Sequence, residues 1–198
     1  MRKIVNFFST MRKFKRDLEG RRFLYTQAVL AWIPSFIGYT IRGRFYRKWV
    51  KSVGDRTLFL ERLYIRNPQL MTIGSNCSMG IDCAIQAAGG LTIGNYVILG
   101  PGVKIWTSNH IYTDPNVPIY DQGSEFKPVI IEDDTWIGAN PFIMPGTHLG
   151  RGCVVAAGAI VSGRRYKDYS ILAGNPARVI GFRGQQNKPE TPTPEKDS

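Results

Sequence analysis

The amino-acid sequence predicts an all-β solenoid, preceded by a basic segment with an amphipathic α-helical pattern and followed by a polar tail. Three observations support this organisation. A six-residue period runs through the body of the chain, the excess of positive charge lies entirely before that repeat, and the C-terminal residues GQQNKPETPTPEKDS are polar and rich in Pro. We therefore divide the chain into residues 1–56, 57–183 and 184–198, and we expect the last to be disordered.

The composition is that of a globular protein that holds no metal centre of its own. The chain has 198 residues, of which 43% are hydrophobic and 21% charged. Two histidines cannot supply a three-histidine catalytic metal site from one chain, and three cysteines do not form a disulfide framework. We therefore expect no metal, unpaired thiols and a reducing, cytoplasmic location.

The N-terminal segment carries the whole net charge of the protein. Residues 1–51 contain thirteen basic and two acidic side chains, which equals the net charge of +11. The uncharged run 23–41 is diluted by polar residues and interrupted by Pro34 and Gly38, so it is a marginal membrane span. It favours one or two amphipathic helices on the inner face of the cell membrane, where basic residues meet anionic lipid. The expected interfacial aromatic residues are Trp32, Phe36, Tyr39, Phe45, Tyr46 and Trp49.

The segment is open to two other interpretations. The helices could instead form a cap on the body of the protein, with the charges merely solvated. Nucleic-acid binding is not expected, because no recognised nucleic-acid-binding motif accompanies the charge.

The repeat predicts a coil of short parallel strands. An aliphatic residue opens each six-residue block, Gly often follows it, and a small residue comes four places later. The first and fifth side chains are expected to point inward, and Gly in second place to accept backbone dihedral angles that other residues resist. Thr57–Thr72 would form the first coil and Asp168–Phe182 would cover the last. The blocks are IGSNCS from Ile73, MGIDCA from Met79, IQAAGG from Ile85, IGNYVI from Ile93, LGPGVK from Leu99, IWTSNH from Ile105, IEDDTW from Ile131, IGANPF from Ile137, IMPGTH from Ile143, LGRGCV from Leu149 and VAAGAI from Val155.

The three cysteines fit this pattern as structural residues. Cys77, Cys83 and Cys153 all occupy the fifth position of their blocks. They are expected to be small core side chains, which argues against a covalent acyl-cysteine mechanism.

Residues 70–182 resemble the hexapeptide-repeat acyltransferases, specifically the maltose/galactoside O-acetyltransferase-like branch associated with polysaccharide biosynthesis. The resemblance implies a left-handed parallel β-helix of triangular section, although parallel crossovers are normally right-handed. It also implies a homotrimer with active sites between neighbouring subunits, and acetyl coenzyme A as the acyl donor. The motifs that carry it are the repeat, SNH at 108–110, IEDDTWIGAN at 131–140, PGTHLGRGCVVAAGAIV at 145–161 and AGNPARVIG at 173–181.

The repeat is interrupted by a long polar loop, residues 111–130, directly after His110. Long loops within a compact fold are usually functional. A histidine at this position is the general base in the family that the chain resembles, and a neutral imidazole suits the activation of a sugar hydroxyl. Asp114, Asp121, Glu125 or a backbone carbonyl could orient it, with Asp114 the first candidate. The second histidine, His148, occupies an outward position and is interpreted as a surface residue.

The same resemblance suggests residues that contact coenzyme A. Trp136 would lie beside the pantetheine arm or pack at a trimer interface. Ala139 replaces a hydroxyl residue of the family, so its backbone N–H is expected to stabilise the oxyanion alone. Arg178 matches a basic residue of the family, whereas Gly163 replaces a lysine. Arg164, Arg165 or Lys167 could substitute for that lysine, while Ala157 and Ser162 would line the pantetheine slot.

The sequence thus predicts an O-acetyltransferase that transfers an acetyl group from acetyl coenzyme A to a saccharide hydroxyl. A ternary complex is expected, with a membrane-associated polysaccharide precursor as the acceptor. The alternatives are an N-acyltransferase that acts on an amino sugar and a trimeric scaffold without catalytic activity.

Overall fold

The computed structural model describes residues 21–185, which form a left-handed parallel β-helix of about six coils with a pair of α-helices at its N-terminal end. The predicted fold class is confirmed. Each coil contributes one strand in turn to sheet A, sheet B and sheet C, so that strands of successive coils pair in parallel. The predicted disordered tail lies, from residue 186 onward, outside the described residues, as do residues 1–20.

The strands are numbered in chain order and are two to six residues long. Sheet A comprises β1 (Ser52–Val53), β4 (Met71–Ile73), β7 (Leu91–Ile93), β12 (Val129–Ile131), β15 (His148–Leu149) and β18 (Arg165–Tyr166). Sheet B comprises β2 (Leu58–Phe59), β5 (Ser78–Met79), β8 (Ile98–Leu99), β13 (Trp136–Ile137), β16 (Val154–Val155), β19 (Ser170–Gly174) and β20 (Ala177–Phe182). Sheet C comprises β3 (Tyr64–Arg66), β6 (Ala84–Gln86), β9 (Lys104–Trp106), β14 (Phe142–Ile143) and β17 (Ile160–Val161).

Two antiparallel pairs depart from this pattern. Strands β10 (Ser108–His110) and β11 (Ser124–Phe126) form a hairpin between β9 and β12. At the C-terminal end, β20 folds back antiparallel on β19. Leu172 and Ala177 of this second pair are fully buried, so the hairpin extends sheet B and adds to the core at the last coil.

The interior is a set of stacked aliphatic ladders, as the repeat predicts. The residues that open the blocks are at most 3% exposed on all three sheets, for example Ile131, Ile137 and Ile143 of one coil. Fifth-position residues such as Cys83 and Thr135 are also buried. Stacking one side chain of each sheet on its equivalent in the next coil removes apolar surface from water at every turn, which is how a solenoid is stabilised.

The corners correct one part of the sequence interpretation. The left-handed backbone conformation falls on the fourth residue of a block, where Asn76, Asp82 and Asn140 have φ near 60°, and Asn and Asp tolerate this region best among residues with a side chain. Glycine in second place is needed because the coils approach closely. A Cβ on Gly100 would lie 2.5 Å from the carbonyl oxygen of Gly138.

The helices α1 (Arg22–Leu30) and α2 (Ser35–Tyr46) form an antiparallel hairpin that caps the first coil. Phe23 near the start of α1 stacks on Phe45 near the end of α2, with ring centroids 5.3 Å apart. The fully buried Tyr46 donates a hydrogen bond to the carbonyl oxygen of Leu63. Tyr46 is therefore a core residue, and its predicted place at a membrane interface was wrong.

The boundaries differ from those predicted by a few residues. Sheet A begins at Ser52, which pairs with Thr72, so the first coil starts within the segment that the charge pattern marked as helical. Val129 and Ile130 belong to β12, so the long loop ends at residue 128. Within residues 21–185 neither helix has the length and hydropathy needed to cross a bilayer.

Candidate active site

The long loop leaves the β-helix at the corner between sheet C and sheet A, here called the C–A corner. In the other coils this corner is a short turn, for example residues 144–147 or 162–164. Between the third and fourth coils it expands to residues 107–128, and β10 and β11 pair antiparallel along its base. From residue 108 to residue 128 no side chain is buried. This segment, here called the insertion, therefore projects from the regular prism.

The insertion is fixed where it leaves the coil. Thr107 is fully buried, and its hydroxyl donates to the carbonyl oxygen of Gln86 and accepts from the backbone N–H of Gly89. The side-chain amide of Gln86 donates to the hydroxyl of Ser108 over 2.9 Å. Because these bonds join the start of β10 to the preceding coil, residues 108–110 have a defined position despite their exposure.

His110 is the last residue of β10 and lies opposite Ser124 of β11. Its side chain is exposed, and within the described residues its imidazole forms no hydrogen bond and no ion pair. Both ring nitrogens are thus available to an external donor or acceptor. This is the arrangement that a general base needs before its substrate is bound.

None of the predicted orienting carboxylates contacts His110. Asp114 accepts a hydrogen bond from the backbone N–H of Asn116 over 2.9 Å, and so closes a turn within the insertion. Glu125 forms an ion pair with Lys127 at 2.9 Å. The residue that organises the loop is Gln122, whose side-chain amide donates to the carbonyl oxygens of Asp114 and Val117. Sequence reasoning missed Gln122, because a glutamine within a polar loop gives no distinguishing signal.

His148 has a different environment from His110. It points outward from β15, as predicted, but it is not an isolated surface residue. Its Nε2 lies 2.5 Å from Oε1 of Glu132, and its side chain is 22% exposed. Arg165 lies beside both groups, with Nη2 3.6 Å from the same carboxylate. The imidazole of His148 is therefore committed to partners within the chain.

Three of the proposed coenzyme A contacts converge at the corner between sheet B and sheet C, here called the B–C corner. Ala139 and Ala157 occupy it in the fourth and fifth coils, where the N–H of Gly158 donates to the carbonyl oxygen of Ala139. The β19–β20 turn continues the stack, since the N–H of Ala156 donates to the carbonyl oxygen of Leu172. Arg178 follows that turn directly. It is exposed and forms no ion pair among the residues described.

The B–C corner also presents unpaired backbone donors. Within residues 21–185 the N–H groups of Ala139 and Ala157 form no hydrogen bond. Ala139 is half-buried and Ala157 exposed. Free N–H groups beside small side chains can approach an acyl or amide oxygen of a bound molecule closely.

Trp136 lies on the outer face of sheet B, adjacent to this corner. It is paired in register with Ile98 and Val154 of the neighbouring coils, and 53% of its side chain is exposed. A tryptophan this exposed on an apolar sheet face offers a surface for a ligand arm or for another protein chain.

The remaining predicted contacts lie elsewhere. Ser162 and Arg164 belong to the C–A corner of the fifth coil, where the Ser162 hydroxyl is 3.0 Å from that of Tyr166 and Arg164 covers the Tyr166 ring. Arg165 is directed to Glu132. In one chain, sheet C separates Ser162, Arg164 and His110 from Ala139, Ala157 and Arg178.

The three thiols are not suited to act as nucleophiles, because all of them are buried. Cys83 and Cys153 are fully buried, and each Sγ donates to a backbone carbonyl oxygen. Burial raises the pKa of both thiols to about 11 and raises the pKa of Cys77 as well. A nucleophilic cysteine needs a lowered pKa and access to solvent. Among the described residues no group of three His, Cys, Asp or Glu side chains could hold a metal ion.

An open groove of about 660 Å³ runs along sheet A beneath the insertion. Phe126 and Pro128 of the insertion form one wall, and Gly89, Gly90 and Thr92 contribute to the other. None of the predicted site residues lines this groove.

Comparison with known proteins supports an acyltransferase relationship. A family model described as the hexapeptide repeat of succinyl-transferase matches residues 128–162. A Saccharomyces cerevisiae protein named as an acetyltransferase is 31% identical over 135 residues, which are 68% of this chain and 67% of the relative. A probable acetyltransferase of Mycobacterium tuberculosis is 37% identical over 113 residues, 57% of this chain and 37% of its own length.

Other relatives have more specific names. An Escherichia coli protein named as a lipopolysaccharide biosynthesis O-acetyl transferase is 27% identical over 63% of this chain and 78% of its own length. Among solved structures, a hexapeptide-repeat acetyltransferase of Vibrio cholerae in complex with acetyl coenzyme A aligns with a TM-score of 0.68 and 25% identity, over 72% of this chain and 76% of that chain.

Proposed function

The chain belongs to the hexapeptide-repeat acyltransferase family, and from this membership we propose that it transfers an acetyl group from acetyl coenzyme A to a hydroxyl group of a saccharide. The single observation that carries the proposal is the position of His110. Of the two histidines in the chain, His110 is exposed at the base of the insertion and has no partner among residues 21–185, whereas His148 is bonded to Glu132.

In this proposal His110 is the general base. Its imidazole accepts the proton of the acceptor hydroxyl as the oxygen attacks the acyl carbon, and it returns that proton to the leaving thiolate. The backbone N–H of Ala139 stabilises the negative charge that develops on the acyl oxygen. No thiol participates, because Cys77, Cys83 and Cys153 are buried as neutral groups. The acetyl group therefore passes directly from donor to acceptor in a ternary complex.

The B–C corner has features that fit coenzyme A. Acetyl coenzyme A supplies an activated thioester, an amide-containing arm and negatively charged phosphates. The free N–H groups of Ala139 and Ala157 would bind the acyl end and the arm. The guanidinium group of Arg178 would bind phosphate. Trp136 would cover the arm from the face of sheet B.

A complete site requires more than one chain. His110 and Ala139 lie at different corners of the prism, with sheet C between them. In a homotrimer, the C–A corner of one chain would lie against the B–C corner of its neighbour. We propose this assembly, with three equivalent sites between subunits.

The acceptor is proposed to be a precursor of a polysaccharide, and the protein to be cytoplasmic. The Escherichia coli relative named for O-acetyl transfer in lipopolysaccharide biosynthesis supports a saccharide hydroxyl as the acceptor. The three free, buried thiols are consistent with a reducing compartment.

The test is a coenzyme A release assay with the full chain, acetyl coenzyme A and a panel of saccharides and lipid-linked saccharides, with His110→Ala as the blank. The proposal expects release that depends on a hydroxyl-bearing acceptor, and a product that mild alkali cleaves because it is an ester. An alkali-stable amide formed on amino sugars would indicate N-acylation. Failure to bind coenzyme A would indicate a scaffold without this activity.

A further inference from the structure

The turn of the helical cap presents the most exposed group of apolar side chains in the described part of the N-terminal segment. Val29 lies at the C-terminal end of α1, Trp32 lies in the turn that follows, and Phe36 and Ile37 lie at the start of α2. Their side chains are 65–73% exposed. We call these four residues the apolar tip. Exposed apolar clusters of this kind usually mark a surface that another molecule covers.

The exposed residues of the cap change from apolar to basic along its length. From α1 into the turn, the exposed positions run from Arg22 through Tyr25 to Val29 and Trp32. In α2 they run in the opposite direction, from Ile37 and Ile41 at the turn end toward the basic end, which carries Arg44 and Lys48. Because the helices are antiparallel, both basic ends lie together. They are separated from the apolar tip by α2, whose 12 residues span about 18 Å.

The cap itself contributes no acidic side chain, although Glu61 of the first coil lies 3.6 Å from the buried Arg42. Residues 21–51 contain seven Lys and Arg side chains and no Asp or Glu. Of the seven, only Arg42 is buried. A surface with an apolar end and a basic end complements an anionic lipid bilayer, whose acyl region is apolar and whose head groups are negative. Val29 and Ile37 add aliphatic surface to the tip, which suits acyl chains and which neither base stacking nor phosphate contact uses.

The apolar tip is held rigidly against the β-helix. The guanidinium group of Arg42 donates to the carbonyl oxygens of Leu30, Ile33 and Phe59. The backbone N–H of Ser35 donates to the carboxylate of Glu61. These bonds link the turn between the helices to the first coil, so the tip keeps its shape without a membrane.

We propose that the helical cap is a preformed docking surface for anionic membranes, with the apolar tip inserted at the boundary between head groups and acyl chains. The basic ends of the helices then lie over the lipid phosphates. Docking in this way places the protein peripherally on the membrane without a spanning helix, on the inner face if the protein is cytoplasmic. The proposal goes beyond the acetyl transfer proposed above, and it does not require that activity.

The experiment is co-sedimentation of the full chain with vesicles, in the absence of acetyl coenzyme A and acceptor. One vesicle type contains phosphatidylcholine alone and the other contains phosphatidylglycerol in addition. The proposal expects stronger binding to the second type, weakened as salt is raised. Substitution of both tip aromatics, Trp32→Glu with Phe36→Glu, is expected to reduce the bound fraction about tenfold or more.

Two further variants make the result specific. Trp32→Ala with Phe36→Ala removes the apolar surface without adding charge, and it should also weaken binding if its melting temperature matches that of the wild type. Tyr120→Glu changes an aromatic residue of the insertion that is 91% exposed, and it should bind like the wild type.

Equal binding of wild type and both tip variants would overturn the proposal and would assign membrane contact, if any, to residues 1–20. A tip variant that alters oligomeric mass but not vesicle binding would also overturn it, because the tip would then be covered by another copy of the chain.

Discussion

The regular coils and the insertion follow opposite rules within one chain. The second to fifth coils bury apolar side chains on all three sheets, whereas residues 108–128 bury none. The strands of the coils are hydrogen-bonded to those of neighbouring coils, while the insertion is closed by its own bonds, such as those of Gln122. The coils therefore provide most of the stability of the molecule. The insertion carries the imidazole of His110, which has no hydrogen-bond partner among the described residues. Changes in the two regions should separate stability from activity.

The largest expected effect is on activity, in the insertion. His110→Ala should lower the rate of acetyl transfer by about 10²–10⁴-fold, because a general base contributes on this scale. Its free energy of unfolding should not change measurably, since the exposed imidazole has no partner within the described residues. The matched control is His148→Gln, which should retain activity and lose at most about 1 kcal/mol of stability with the bond to Glu132. Loss of activity in both variants at the same melting temperature would remove the distinction between the two histidines.

The next effect is on stability, in the coils. Ile131→Ala deletes a fully buried side chain of sheet A and should lower the free energy of unfolding by about 2–5 kcal/mol, because a cavity remains between coils. Ile119→Ala is the matched change in the insertion, where the side chain is 55% exposed, and it should stay within about 0.5 kcal/mol of the wild type. Urea denaturation measures both. Equal losses of unfolding free energy in the two variants would mean that Ile119 is buried in solution and that the insertion packs against the rest of the protein.

A smaller effect concerns pH, and it tests whether the interior of the coils excludes water. Burial raises the pKa of Cys83 and of Cys153 from 9.0 to about 11. A raised pKa in the folded state gives stability that is complete below the unfolded pKa and is lost as the pH rises through the folded pKa. Raising the pH from 8 to 10 should therefore lower the free energy of unfolding by about 1 kcal/mol for each of the two thiols.

The control for this effect is Cys83→Ala with Cys153→Ala, which removes both titrating groups. The double variant should lose less stability than the wild type between the two pH values, whatever its stability at pH 8. The same loss in both proteins would show that the thiols ionise within the fold and would contradict their burial.

The sequence predicted the coils better than the corners. A six-residue period directly reports which side chains face inward, so the ladders and the buried thiols followed from it. The role of glycine did not follow from the period. The close approach of Gly100 to Gly138 involves residues of successive coils, so it depends on how the coils stack. The sequence offers the helical cap only as an alternative, because a buried Arg42 with three carbonyl acceptors cannot be distinguished from a solvated arginine in a basic sequence.

The candidate site was predictable as a set of residues but not as an arrangement. The interruption of the repeat indicated His110, and the motifs indicated Ala139, Ala157 and Arg178. Their separation onto two corners depends on which sheet each block enters. The commitment of Asp114 to Asn116 depends on the local turn within the insertion. The pairing of Arg165 with Glu132 joins strands from different coils. Spacing along the chain does not reveal either contact.

The central claim is that the exposed imidazole of His110 acts as a base, and chemical rescue tests it most directly. Imidazole added to His110→Ala can reach the vacated position, because residues 109–121 are exposed. Coenzyme A release by this variant should rise in proportion to the imidazole concentration, while release by the wild type and by His148→Gln should not. A folded His110→Ala variant that binds acetyl coenzyme A and either works at the wild-type rate or shows no response to imidazole would contradict this claim.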